Sequence, residues 1–212
     1  MLEFDHLIEI PFNNRHQCWF CGEPSSRYFT FPHQYHLVFD CPHPTITLPC
    51  CAECSNAANK AKVRNIWQVE QQVKKYLIKK YKKDLAIGLN WTRAELANSE
   101  FEGGNFAGFQ KSAWFMYQVA KQRVNYQGWK LVLDGVEIEQ EYSSEHFQFD
   151  GVCYPSIEEA IEHYSENFSL DSNFLRQILS IIGLNRFAQA VRYCRLYIGS
   201  TPDEKSQALR KL

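Results

Sequence analysis

Apolar residues recur along this chain with two periods, which separate helical from strand-forming stretches. Between Ala57 and Ala86, Ile66, Val69, Val73, Tyr76, Leu77 and Tyr81 fall at three- and four-residue steps, the spacing of one face of a long helix. At roughly 100° per residue Lys75, Lys79 and Lys82 lie opposite that stripe, Lys80 must run beside it, and Gly88 ends the element. Thr92 and Glu95 have the form of a capping box and open a short helix through Ala97. From Phe106 to Tyr126 the chain is apolar on several sides, with Phe109, Ala113, Trp114, Phe115, Met116, Val119, Ala120 and Val124, which predicts a central core helix.

The period then shortens to two. Apolar runs at Trp129–Leu133 and Val136–Ile138 flank Asp134-Gly135, and a second pair of runs flanks Asp150-Gly151; Asp-Gly in that setting predicts hairpins with type I′ turns. Beyond Pro155 the helical period returns. Ser156 and Glu159 open a first helix with Ile157, Ala160, Ile161 and Tyr164 inside, and others are expected at Ser172–Ile182 and Arg186–Tyr197. Thr201-Pro202-Asp203-Glu204 starts a fourth with cap, proline and acid in order. The fold class expected is α+β, predominantly α: an N-terminal zinc module, long helices, a small antiparallel hairpin region and a C-terminal helical bundle. Glu102-Gly-Gly-Asn105 is the best candidate boundary, giving domains 1–102 and 103–212.

Composition permits such a core. In 212 residues, 45% are hydrophobic, including fifteen Phe and eleven Tyr. The net charge of −1 offers no global attraction to nucleic acid or membrane, but it hides a segregation. Ten Lys or Arg stand against two acids from Ala57 to Arg93, whereas Asp134 to Asp171 holds eleven acids and no Lys or Arg. The N-terminus has neither the basic start nor the apolar run of an export signal, and no stretch is long enough to span a bilayer, so a cytoplasmic protein without a membrane partner is expected. In that compartment eight cysteines read as thiols or metal ligands rather than disulfides.

Four of them are paired. Cys18-Trp-Phe-Cys21-Gly22 and Cys51-Ala-Glu-Cys54 are two C-x-x-C knuckles, a spacing that brings four thiolates within tetrahedral reach of one structural Zn²⁺. Cys50 could replace Cys51, although only Cys51 keeps the two-residue gap to Cys54. Cys41, His43, His33 and His36 lie between the knuckles and are candidates for a second ion. Cys153 and Cys194 fall in an expected strand and helix and read as core residues. There is no phosphate-binding glycine loop: Gly103-Gly104 is followed by no Lys-Ser or Lys-Thr.

The stretch Cys18-x-x-Cys21-Gly22, then Leu48-Pro-Cys-Cys51-x-x-Cys54-Ser-Asn56-x-x-Asn59-Lys60, resembles the zinc-stabilised treble clef of the HNH endonucleases over roughly residues 15 to 65. The resemblance implies a knuckle, a hairpin, and a helix begun by the second knuckle. It also implies a nucleic-acid partner cut with the help of a second metal ion. The sequence departs where that chemistry would sit. The family's Asp-His or His-His pair corresponds to Thr30-Phe31 or, aligned on Pro32, to Tyr28-Phe29, and Ser55 follows the second knuckle where His is frequent. Phe149-Asp-Gly-Val-Cys-Tyr154-Pro-Ser156-Ile157-x-x-Ala160 resembles small helix-turn-helix modules that accompany such nucleases, but Glu158, Glu159, Glu162 and Glu166 would repel phosphate.

Three functions follow. The first is a zinc-stabilised DNA- or RNA-binding protein without nuclease activity, with Lys60, Lys62, Arg64, Lys75, Lys79 and Lys82 facing phosphates. The second is a protein-interaction scaffold whose acidic region meets a basic partner, or its own basic helix in a self-associated form. The third is a metal-dependent endonuclease rebuilt around His33, His36 or His43.

Overall fold

The computed structural model describes residues 8–32, 41–99, 104–139 and 146–212. The candidates His33 and His36, and Glu102 and Gly103 of the Glu102–Asn105 turn, lie outside them. Two compact units emerge, 1–155 and 156–212. The division therefore falls at Pro155/Ser156 rather than at 102/103, because the helix that follows residue 103 packs on helices that precede it. The described structure is mainly helical with small antiparallel sheets, all of them in the first unit. Among the described residues no helix is long and apolar enough to cross a membrane.

In the first unit, strand β1 (Arg27–Phe31) pairs antiparallel with β2 (Ile46–Cys50), Phe29 opposite Leu48 and Phe31 opposite Ile46. On β1 only Phe29 and Phe31 turn inward, the alternation of a half-buried strand, whereas every residue of β2 is buried. Helix α1 (Ala52–Ala58) follows β2 at once, then α2 (Ile66–Lys80), α3 (Lys82–Asn90), α4 (Arg93–Ala97) and α5 (Gly104–Asn125).

The single helix expected from Ala57 to Ala86 is thus three. Residues 60–65 are non-helical, and Tyr81 (φ −93°, ψ 17°) breaks α2 from α3. Gly88 does not end its helix: a Cβ there would lie 2.2 Å from the Tyr117 ring, so the glycine serves the close approach of α3 to α5. Tyr76 is 40% exposed, and the inner face of α2 is Ile66, Val69, Val73, Lys74, Leu77 and Ile78. Nor is α5 apolar all round its axis: Tyr117, Ala120, Arg123 and Val124 face α2, α3, α4 and the later strands, while Phe115 and Met116 are exposed.

Two hairpins follow, β3 (Val132–Leu133) with β4 (Val136–Glu137), and β5 (Phe147–Phe149) with β6 (Val152–Tyr154). Asp134, Gly135, Asp150 and Gly151 all have φ between 51° and 76°, the left-handed pair a type I′ turn requires.

The second unit contains α6 (Ile157–Phe168), α7 (Ser172–Ile182), α8 (Phe187–Arg195) and α9 (Pro202–Leu209). Its core is Ala160, Ile161, Tyr164, Phe174, Leu175, Ile178, Leu179, Phe187, Ala190 and Val191, with Tyr164 edge-on to Phe187 at 5.4 Å. Each fully buried large side chain contributes about 1.5–3 kcal/mol, which suits a bundle this small. Asp171 caps α7 by accepting from the amides of Asn173 and Phe174, and Thr201 with Glu204 forms a complete capping box on α9. Cys194 is buried in this core, whereas Cys153 on β6 is only half-buried.

Candidate metal centre

The first knuckle is a tight reversal. The Cys18 amide donates to Glu23 O at 2.7 Å, the Cys21 and Gly22 amides turn back onto Cys18 O, and Gly22 takes φ +74°. A Cβ on Gly22 would stand 2.6 Å from the Tyr126 ring, so both conformation and packing call for glycine. The Trp19 amide donates to Pro49 O and the Ser26 amide to Cys50 O, which fastens the knuckle beside the end of β2. There Cys51 serves as N-cap of α1, its sulfur accepting from the Cys54 amide at 3.4 Å, with Cys54 in the first turn.

These elements bring Cys18, Cys21, Cys51 and Cys54 together, all buried, with the four sulfurs within 4.8 Å of one another. Cys21 Sγ and Cys51 Sγ are 3.8 Å apart. A tetrahedron with metal–sulfur bonds of about 2.3 Å has edges of about 3.8 Å, so the donor set has the size and softness for Zn²⁺. Cys50 is outside the cluster, its thiol pushed up to about 11 by burial.

The four sulfurs also hydrogen-bond one another. Those mutual hydrogen bonds, with Cys18 the foremost partner, hold Cys21 down at about 7, drive Cys51 far below the thiol range and drive Cys54 far above it, while Cys21 foremost drives Cys18 far above it. Four thiolates at this separation would repel by roughly 4 kcal/mol per pair at an effective dielectric constant near 20. A divalent cation removes that conflict, and four thiolates leave it no open position for water or substrate.

Charged side chains crowd the cluster. Arg123, 8% exposed on α5, donates from Nη2 to Cys21 Sγ at 3.6 Å and to Glu53 Oε2 at 2.7 Å, and from Nη1 to the Tyr81 hydroxyl. Glu53 also pairs with Lys80 at 2.5 Å; burial pushes its pKa up, but Lys80, Arg123 and Tyr81 outweigh that and hold the carboxyl below the usual range. Lys74, 7% exposed, donates to Phe20 O at 2.7 Å, to Arg123 O at 3.2 Å and to Tyr126 O. Neither Lys74 nor Arg123 stood out in the sequence, although a lysine among the inner positions of an amphipathic helix is a usable signal.

No protein-family model matches the chain, and no curated protein or solved structure shows significant similarity to it. None of these comparisons supports the HNH resemblance of residues 15 to 65.

The other candidates scatter. His43 is 6% exposed, wedged between Phe31 (5.7 Å) and Trp67 (5.5 Å, edge-on). Its Nε2 accepts the Ile66 amide at 3.0 Å, so Nδ1 carries the proton toward Pro44 O at 2.9 Å. With Nε2 committed to the start of α2 and Nδ1 to Pro44 O, His43 has no nitrogen left for a metal or a water. Cys41 donates to His43 O, and the four-cysteine group is the one metal-competent cluster among the described residues. Thr30 bonds Thr47 at 3.0 Å and Phe31 is buried, so β1 carries no ligand at the positions that match the nuclease pair. Lys60, Lys62, Arg64 and Lys79 are exposed; Lys75 and Lys82 are half-buried.

Proposed function

We propose that the protein binds nucleic acid through a treble-clef module built on one structural Zn²⁺, and that it lacks nuclease activity. The carrying observation is the tetrathiolate cluster at the junction of knuckle, hairpin and helix, from which the chain runs straight into exposed Lys60, Lys62 and Arg64. The order knuckle, β1, β2, α1, with Cys51 and Cys54 opening α1, supports the treble-clef reading. Lys60, Lys62 and Arg64 precede α2, while Lys75 and Lys79 lie toward its C-terminal end, so the basic side chains bracket a helix of fifteen residues, about 22 Å long, enough to follow several phosphates of one strand. The engagement of His43 in capping α2 argues against hydrolysis.

Two measurements test this. Protein purified under reducing conditions should carry one zinc per chain. Binding to DNA and RNA oligonucleotides, followed by fluorescence anisotropy at two salt concentrations, should weaken with salt, and the combined charge reversal Lys60→Glu, Lys62→Glu, Arg64→Glu should flatten the log–log salt slope by roughly 3. No detectable binding at low salt would remove the nucleic-acid reading and leave the zinc reading intact.

A further inference from the structure

A divalent ion held by four thiolates has a net charge of −2, and the cysteines here are buried. Such a charge is stable away from water only when cations and hydrogen-bond donors surround it. Two basic residues are almost wholly withdrawn from solvent in this neighbourhood, and they come from two different helices. Arg123, near the end of α5, reaches Cys21 Sγ directly. Lys74, in the middle of α2, grips the carbonyl of Phe20, the residue before Cys21, together with Arg123 O and Tyr126 O at the end of α5.

The nearby carboxylates do not consume these charges. Glu53 is shared between Arg123 and Lys80, so Lys80 offsets it. Glu23 approaches Arg123 only at 4.0 Å, from a side chain that is 42% exposed and screened by solvent. Glu70, one turn before Lys74 on α2, has its pKa raised by burial, and Lys74 only partly opposes that shift. Burying an arginine and a lysine is otherwise unfavourable, and Lys74 ends on neutral carbonyls. A −2 centre at the cysteine cluster, which Arg123 touches at Cys21 and Lys74 borders through Phe20 O, supplies a countercharge to both.

We propose that Arg123 and Lys74 are the charge-balancing partners of the metal centre, so that metal occupancy holds the C-terminal end of α5 on the cysteine module. This inference rests on the zinc reading above. It makes Arg123 and Lys74 positioning residues: neither ligates the metal, but both decide how firmly it is kept and how reactive the Cys21 sulfur is.

The test uses the full chain loaded with Co²⁺, whose sulfur-to-metal charge-transfer absorption reports directly on the thiolates. If the wild type shows no such band, the metal reading itself fails, and this inference with it. With the band present, Arg123→Met should weaken metal retention against a competing chelator by roughly 10–100-fold, the usual effect of removing an outer partner of a ligand. It should also move the band to lower energy, because loss of an N–H···S bond raises the sulfur donor orbitals. Arg123→Lys should recover part of both effects, and Glu53→Gln, which leaves the Cys21 contact intact, should not move the band. Cys21 borders an open cleft of about 580 Å³ together with Glu23, Gln118 and Gln122, so loosening the centre should uncover it, and iodoacetamide should alkylate Cys21 faster in Arg123→Met than in wild type. Lys74→Met should weaken retention as well, and chelation of the wild type should raise hydrogen exchange at the end of α5. Wild-type metal affinity with an unshifted band in Arg123→Met, or undiminished retention in Lys74→Met, would overturn the proposal. Should Arg123→Met fail to fold, the contrast between Arg123→Lys and Glu53→Gln in band position decides the same question.

Discussion

Replacing His43 by alanine separates a structural histidine from a catalytic one. The imidazole accepts the amide of Ile66, the first residue of α2, whose N–H has no partner within the helix. Alanine leaves that buried donor unpaired, which costs roughly 1–3 kcal/mol. The contacts with the Phe31 and Trp67 rings are also lost, at roughly 0.5–1.5 kcal/mol each, for a total of about 2–6 kcal/mol. Against the 5–15 kcal/mol of an ordinary domain this is a large fraction, and urea unfolding of metal-loaded protein should register it. His43→Gln, whose amide oxygen can still accept from Ile66, should retain most of the hydrogen-bond share. An unfolding midpoint unchanged in His43→Ala would refute the capping role and reopen the histidine as a free functional group.

The same residue predicts a pH dependence. Burial lowers the pKa of His43, and its bond to Pro44 O only partly opposes that. The unfolded chain therefore takes up a proton at a higher pH than the folded one. Stability is complete above the ordinary imidazole value of about 6.5 and falls as pH drops through it toward the folded value, by at most about 1.4 kcal/mol per pH unit. His43→Ala should remove this component, visible as a shallower stability–pH slope than that of the wild type between pH 7 and 5.

Other perturbations reach the remaining parts of the molecule. Cys51→Ser should lose bound metal and Cys50→Ser should keep one ion per chain by elemental analysis; a metal-free Cys50→Ser protein would contradict the assignment of the cluster. Gly22→Ala places a Cβ against Tyr126 at a left-handed φ, so it should destabilise by at least about 1–2 kcal/mol, and an unaltered thermal midpoint would count against the knuckle geometry. Asp171→Ala removes the cap of α7 and the partner of Lys205 (2.8 Å), with an expected loss of about 1 kcal/mol from the second unit. Because Lys205 foremost, and then the Phe174 amide, hold the Asp171 carboxyl below its usual value, that contribution is present above about pH 3.9 and lost as pH falls through the folded pKa. The gap between variant and wild type should therefore close on acidification, and a gap that persists at low pH would show that the carboxylate charge is not its source.

What could be read from the sequence alone is local. Two C-x-x-C pairs, two Asp-Gly turns, the capping boxes at Thr92 and Thr201 and the inner faces of α6 to α8 each depend on residues a few positions apart, where chain geometry leaves few alternatives. The tertiary structure decided whatever depends on atoms brought from far along the chain. It set Cys51 rather than Cys50 in the cluster, gave Gly88 its contact with Tyr117, and turned His43 from a candidate ligand into a helix cap. It also drew Lys74 and Arg123 under the cysteine module, although both belong to residue types that ordinarily face water. Periodicity says which side of a helix is apolar, but a lone charge on that side is explained only by what the fold packs against it. Here that is the carbonyls of Phe20, Arg123 and Tyr126 around Lys74, and the Cys21 sulfur with Glu53 beside Arg123, and no spacing within α2 or α5 encodes them.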